Sequence, residues 1–419
     1  MRNRDLHLIL VALSLLLTPC SIRAQAITPG AERLSVYLPL LKGKRVGVYA
    51  NPTSTVGNTH LVDTLIHSGI NVKLIFGPEH GFRGTADAGE DLANYVDKRT
   101  GIPVVSLYGP KSAPDSNDLK AIDIIVFDIQ DVGVHFYTFI SSLQRCMEAA
   151  FAAGKPMMIL DRPNPNGFYV DGPVLDPKYR SFVGMQPVPI NYGMTIGEYA
   201  LMIAGERWLT PAANARHDYY LHAKKSKDTA FHFQVIPCAG YDHRSKYKLP
   251  VKPSPNLPDM ASVWLYPSTC LFEGTILSEG RGTERPFQIF GHPDLPKNLF
   301  AFTPTSRPGA KDPKLKDQQC YGWDLGGSDE EVLKEVDGKI QLRWLIEAYQ
   351  LFPNKDAFFP QPKSGKYEDM WLHKLVGNDV LMKQIRDGVS EEEIRRSWQP
   401  GLQAFKAIRK KYLLYADFD

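Results

Sequence analysis

The stretch DIIVFDIQD, residues 123–131, decides the fold. Four consecutive apolar residues, bounded by Asp123 and Asp128, read as a buried strand, because a strand covered on both faces shows a continuous apolar run instead of alternation. The next segment changes period. YTFISSLQRCMEAAFAAG, 137–154, spaces its apolar residues as a helix does and stops at Gly154, the residue type that closes helices in the left-handed conformation. PMMIL, 156–160, is again a short apolar run. Strand, helix and strand in succession form the unit of a parallel sheet.

Working toward the N-terminus, the same pattern recurs in RVGVYA (45–50), VKLIF (72–76) and PVVSLY (103–108), with THLVDTLIHSG (59–69) as a helix ending at Gly69. Residues 44–162 therefore predict an α/β fold with helices packed on a parallel sheet. Toward the C-terminus, residues 163–260 are rich in Pro, Gly and aromatics, framing one helix in TIGEYALMIAGERW. Such passages cross a surface or a junction better than they continue a sheet. They place a boundary near 235, between a sheet domain over 25–234 and a second domain over 235–419. The closing segment from Glu391 to Tyr415 reads as two helices split at Pro400-Gly401.

With 419 residues and 43% hydrophobic content the chain can bury a large core. Lys+Arg 49 against Asp+Glu 46 is nearly balanced, which argues against a nucleic-acid partner. Arg2 and Arg4, the apolar run LHLILVALSLLL and the small residue Ala24 have the layout of a signal peptide over 1–24, too short in its apolar part for a membrane span. The expectation is an exported, periplasmic protein; lipidation at Cys20 is the lesser alternative, since Pro19 suits it poorly. Cys146, Cys238, Cys270 and Cys320 are widely spaced without a CxxC pair, so no zinc ribbon is expected.

In an open α/β sheet, ligands bind outside the carboxyl ends of the strands. Those ends carry Asn51-Pro52-Thr53, then Glu79-His80 in GPEHGFRG, then Asp128, Gln130 and Asp131, then Asp161, Arg162 and Asn164. Each is also an ordinary turn or cap residue. GxGxxG, GxxxxGK[ST] and GxSxG are all missing, which disfavours dinucleotide, ATP and serine-hydrolase chemistry. A second polar group lies in CLFEGTILSEGRGTERPF, 270–287, where Glu273, Glu279, Arg281, Thr283, Glu284 and Arg285 stand among glycines. A cleft between the domains would join the two groups. Glu79, in a tight turn at a strand's end, is placed to act as a general acid. His60, His80 and His135 lack metal-ligand spacing, and no metal or other cofactor is expected.

The blocks GPEHGFRG, FDIQDVGVHFYTF, LDRPNPNG, YGMTIGEYA, PSPNLP, FEGTILSEGRGTERPFQIFG and SWQPGLQAFKAIRKKYLLY together resemble the exo-β-N-acetylmuramidase family of cell-wall glycosidases, from about residue 30 to the C-terminus. The resemblance implies a Rossmann-like domain with helices on both faces, a smaller α+β C-terminal domain and an active-site cleft between them. It also implies removal of terminal non-reducing β-1,4-linked N-acetylmuramic acid (MurNAc) from peptidoglycan fragments such as MurNAc-GlcNAc and muropeptides. Carried onto this chain, it makes Glu79 the principal catalytic residue, with Asp128 or Glu273 as the second carboxylate, acting directly or by orienting the substrate's own acetamido group. His80, Arg83, Gln130, Asp131, Asn164, Ser278, Arg281 and Thr283 become substrate-binding candidates, with Arg281 and Arg83 suited to the lactyl carboxylate of MurNAc. Tyr192 stands where relatives often carry His. Phe82, Tyr137 and Tyr192 are aromatics able to stack on a sugar or to fill the core. A non-catalytic amino-sugar-binding protein is the alternative, and a metal-dependent amidase a third reading.

Overall fold

The computed structural model describes residues 26–79, 81–83, 93–226 and 233–418; the expected signal peptide, Cys20 and His80 lie outside them. The strands are β1 (Arg45–Ala50), β2 (Asn71–Gly77), β3 (Tyr95–Val96), β4 (Pro103–Ser106), β5 (Ile124–Asp128), β6 (Met157–Leu160), β7 (Asp171–Val174), β8 (Pro189–Asn191), β9 (Phe233–Ile236), β10 (Ile289–His292), β11 (Phe300–Phe302) and β12 (Cys320–Asp324), apart from a two-residue hairpin at Thr55–Val56 and Thr59–His60. Seven of them form one sheet in the order β9-β6-β5-β1-β2-β4-β3. All pair in parallel except the short edge strand β3. From the central β1 the chain winds outward through β2 and β4, then returns to the other side for β5, β6 and β9. This is the doubly wound order, and it puts a crevice between the carboxyl ends of β1 and β5.

Alternation along each strand explains the layers. In β5, Ile124 and Val126 join Val46 and Val48 of β1 beneath helix α1 (Leu61–His67), whereas Ile125 and Phe127 join Leu143, Met147 and Phe151 of α2 (Phe139–Ala152) on the opposite face. Gly69 and Gly154 follow α1 and α2 with φ 76° and 66°, as their sequence positions predict. Helix α3 (Ile196–Gly205) is capped at Thr195 and Glu198 by reciprocal side-chain bonds.

Strand β9 belongs to the main sheet, and position 235 falls within it. Beyond it the chain builds α4 (Met260–Thr269), an antiparallel sheet in the order β10-β12-β11, α5 (Trp371–Val376) and α6 (Glu391–Arg409). One apolar core runs from α2 into this second part, taking in Trp264, Phe272, Phe290, Trp344 and Trp398.

Helix α6 corrects one expectation, since it passes through Pro400 without a break. An interior proline costs about 3 kcal/mol. Burial of Ile394, Trp398, Leu402 and Phe405 on one face outweighs that, at roughly 1.5–3 kcal/mol for each side chain. Pro400 itself sits on the exposed side. The chain then runs back over the first part: Arg409 donates to the Gly193 carbonyl at 2.7 and 2.9 Å, the Leu414 amide donates to Glu198 at 2.8 Å, and the Tyr415 hydroxyl donates to Asp161.

Candidate active site

The crevice between β1 and β5 is filled by the protein itself. Asp128 ends β5 and is met by Arg162 in a bidentate pair, Nε to Oδ1 at 2.6 Å and Nη2 to Oδ2 at 2.9 Å, with 0% and 3% of the two side chains exposed. Burial pushes the Asp128 carboxyl up, and Arg162 opposes the shift. Ser54 donates to the Asp128 carbonyl, and the Gln130 amide donates to Thr53 at 3.0 Å, so hydrogen bonds cross the crevice from one strand end to the other.

Several expected contact residues are likewise held by bonds within the fold and do not line the cavity at Glu79. Gln130 donates to the carbonyls of Asp131 and Pro163, both at 2.8 Å; Asn164 donates to the Met194 carbonyl at 2.8 Å. Asp131 accepts from the Tyr192 hydroxyl and from the Gly133 amide, and Tyr192 is fully buried, so this tyrosine holds a carboxylate from behind instead of facing a ligand. Burial pushes the Asp131 carboxyl up to about 6, with Tyr192 opposing. Arg83 grips Asp97 at 2.8 and 2.9 Å and reaches Asp63 at 3.5 Å. Its neighbour Phe82 is core. Ser278 pairs with Gly291 through its backbone, and Thr283 donates to the Gly280 carbonyl at 2.7 Å. His60 accepts from the Val62 amide at the start of α1.

The cavity at Glu79 lies further along the sheet edge, beyond the ends of β2 and β4, where the second part closes over them. It measures about 370 Å³ and is lined by Glu79, Tyr108, Tyr137, Glu273, Arg281 and Trp371, among others. Glu79, Glu273 and Arg281 are thus brought together by elements nearly 200 residues apart; Asp128, Arg83, Gln130, Asp131, Asn164, Tyr192, Ser278 and Thr283 stand outside the lining, and His80 is not described.

Glu79 follows β2 in a turn closed by the Gly81 amide donating to the Pro78 carbonyl at 2.9 Å. The Tyr108 hydroxyl, just past β4, donates to its Oε1 at 3.3 Å. Tyr137 is anchored at its hydroxyl, donating to the Pro253 carbonyl at 2.7 Å, and its ring meets Phe139 and Tyr266 edge-on. Phe287 extends this aromatic bed at φ 62°, a left-handed conformation that side chains of its size seldom adopt.

Glu273 accepts from Arg281 Nη2 at 2.7 Å and from Trp371 Nε1 at 3.4 Å. Arg281 lies over the Phe287 ring and 3.7 Å from Glu279; burial works against its charge, and Glu273 and Glu279 hold it protonated. That guanidinium makes a single hydrogen bond among the described residues, so donors remain for a ligand anion. Two features fix this wall. Lys314 donates its ammonium among the carbonyls of Phe272, Glu273, Thr275 and Leu277 at 2.9–3.3 Å and pairs with Glu279 at 3.0 Å. Gly274 allows α5 to approach, since a Cβ there would stand 2.7 Å from the Leu372 Cα.

Tyr108, Phe182, Asn256 and Trp371 also line the cavity, and none of the four is among the residues expected from the sequence. The PSPNLP block contains Asn256, but Trp371 carries no local signal. Among the described residues no group of three His, Cys, Asp or Glu is placed to hold a metal, and no helix is long and apolar enough to cross a membrane.

Two carboxylates on a sugar-sized cavity, with an aromatic bed and a guanidinium that keeps donors beyond its bond to Glu273, suit glycoside hydrolysis on a doubly wound fold, and the chain is a glycoside hydrolase. It belongs to the exo-β-N-acetylmuramidase NamZ family, whose N-terminal model matches residues 46–261 and whose C-terminal model matches 264–415. It is 38% identical over 401 residues to the peptidoglycan β-N-acetylmuramidase NamZ of Bacillus subtilis, covering 90% of this chain and 89% of that one. Two crystal structures of DUF1343 family proteins from Bacteroides fragilis share the fold. One is 44% identical with a TM-score of 0.80, covering 94% of this chain and 99% of the other; the second is 27% identical with a TM-score of 0.74, covering 93% and 99%.

Proposed function

We propose that the cavity takes a terminal non-reducing MurNAc residue of a peptidoglycan fragment and cleaves its β-1,4 bond to GlcNAc. Glu79 donates a proton to the departing GlcNAc oxygen, and water supplies the hydroxyl that ends on the anomeric carbon. The observation that carries this reading is the meeting of Glu79, Glu273 and Arg281 on one cavity. Of the two carboxylates considered for the second role, Glu273 lines that cavity and Asp128 is consumed by Arg162. Glu273, held by two donors, serves as nucleophile or base, or orients the 2-acetamido group for attack by its own carbonyl. Arg281 offers its remaining donors to the lactyl carboxylate, the group that distinguishes MurNAc from GlcNAc. Residues 1–24 direct export to the periplasm, where peptidoglycan fragments arise.

The test is hydrolysis of β-MurNAc glycosides by the wild type and Glu79→Gln. Loss of the acid should slow the natural disaccharide about 10²–10⁴-fold. The loss should shrink on a dinitrophenyl glycoside, whose leaving group needs no proton. Equal rates on the disaccharide would remove Glu79 from catalysis, and a wild type that binds but never turns over would favour a binding module.

A further inference from the structure

A second cavity, of about 500 Å³, adjoins the first and shares Glu273 and Trp371 with it. Thr275, Ile276, Pro360 and Pro362 line its body, and Gln361 and Lys363 stand on an exposed rim. The wall between the two cavities is the one fixed by Lys314 and by the close contact of Gly274 with α5. Trp371 is 42% exposed although its Nε1–H is tied to Glu273, which leaves a broad indole face standing in the open beside a cavity carboxylate.

Charge separates the two spaces. The first holds Arg281 with donors to spare. In the second, Lys314 is already spent on four carbonyls and Glu279, and Asp369 is paired with Lys374 at 3.1 Å, so the body of the cavity offers an uncharged ligand apolar rings and backbone. An acidic sugar suits the first and a neutral one the second. A chain crossing from one to the other passes Glu273 at the junction, with one ring on either side. Both volumes fall in the range of small-ligand sites.

We propose that the second cavity is the leaving-group subsite, seating the neutral N-acetylated pyranose on the reducing side of the scissile bond against the Trp371 indole, with any further sugars running out past Lys363. The proposal rests on the reading of Glu273 as a residue beside the bond that breaks. The indole then serves twice, since besides its bond to Glu273 it presents an apolar face to the C–H face of a sugar.

The experiment compares two substrates of wild type, Trp371→Leu and Gln361→Trp: a nitrophenyl β-MurNAc glycoside, whose small leaving group makes little use of the subsite, and the MurNAc-GlcNAc disaccharide. Any weakening of Glu273 in Trp371→Leu affects both substrates and cancels in their ratio. The expected result is a fall of about tenfold or more in disaccharide kcat/KM relative to the nitrophenyl glycoside, with a smaller fall in the same direction for Gln361→Trp, which narrows the exposed rim. Free GlcNAc should inhibit the wild type competitively toward the disaccharide, and Trp371→Leu should lose that inhibition. An unchanged substrate ratio in both variants overturns the subsite while the enzyme reading stands. A wild type that turns over neither substrate overturns the enzyme reading itself.

Discussion

The Asp128–Arg162 pair permits a prediction that separates stability from catalysis. Replacing Arg162 with Met leaves the Asp128 carboxyl, 0% exposed, without its partner and removes a donor from the Thr55 carbonyl at 3.0 Å. At an effective dielectric constant of about 20, unit charges roughly 3 Å apart interact by about 5 kcal/mol, and breaking buried pairs from one side costs about 3–5 kcal/mol. Arg162→Met should therefore lower the unfolding free energy by about that amount, a large part of the stability of an ordinary domain. Asp128→Leu with Arg162→Met should recover most of it, because two uncharged side chains of similar volume leave nothing unpaired. Urea unfolding followed by circular dichroism gives the double-mutant cycle, and turnover of a β-MurNAc glycoside by the folded fraction gives the second readout. Folded Asp128→Asn should keep its turnover within a few-fold of wild type. A coupling near zero would refute the electrostatic reasoning. Stable Asp128→Asn protein that has lost turnover would put Asp128 back into the chemistry.

Two further outcomes are expected. The folded-state value of Asp131, about 6, lies above the ~3.9 of an unfolded aspartate, so its stabilising contribution is fully present below about pH 4 and is lost as pH rises through 6, on the order of 3 kcal/mol. Asp131→Asn should flatten the fall in urea midpoint between pH 4 and 7, with Asp161, pushed up to about 7 by burial, keeping a residual slope; an unaltered profile would count against the assignment. Pro400→Ala should raise the melting temperature, since it returns a helix bond at an exposed interior position, a gain of roughly 1–3 kcal/mol. A lower melting temperature would mean that the ring itself supports the packing of α6.

The strands of the sheet were legible because burial on both faces forces continuous apolar runs, as in residues 124–127. The exposed pair Tyr95–Val96 offers no such signal, and Phe233–Ile236 is short and adjoins a Pro-rich and aromatic passage. Pro400 misled because propensity is local, while the buried face of α6 is a tertiary effect. For the site, a polar residue at a strand's end looks alike whether it awaits a ligand or already has a partner. Asp128 has one 34 residues on, and Asp131 has one 61 residues on. Glu79, Glu273 and Arg281, which stand out in the sequence by their turns and glycines, line one cavity. Trp371 was not, because its meaning comes from a bond to Glu273 across 98 residues.

The return of the chain end onto the first sheet has a consequence for biogenesis. Asp161 follows β6 and accepts from the Thr195 hydroxyl and the Gly197 amide nearby, but its third partner, the Tyr415 hydroxyl, is 254 residues further on. At about 5–20 residues per second, synthesis of that interval takes roughly 13–50 s, and until it ends the last bond to Asp161 cannot form. Arg409 and Leu414 make their bonds to Gly193 and Glu198 equally late. The bonds that tie the chain end to the first part therefore form last, and a chain truncated after α6 would keep the bonds of Arg409 to Gly193 but lose those of Leu414 and Tyr415.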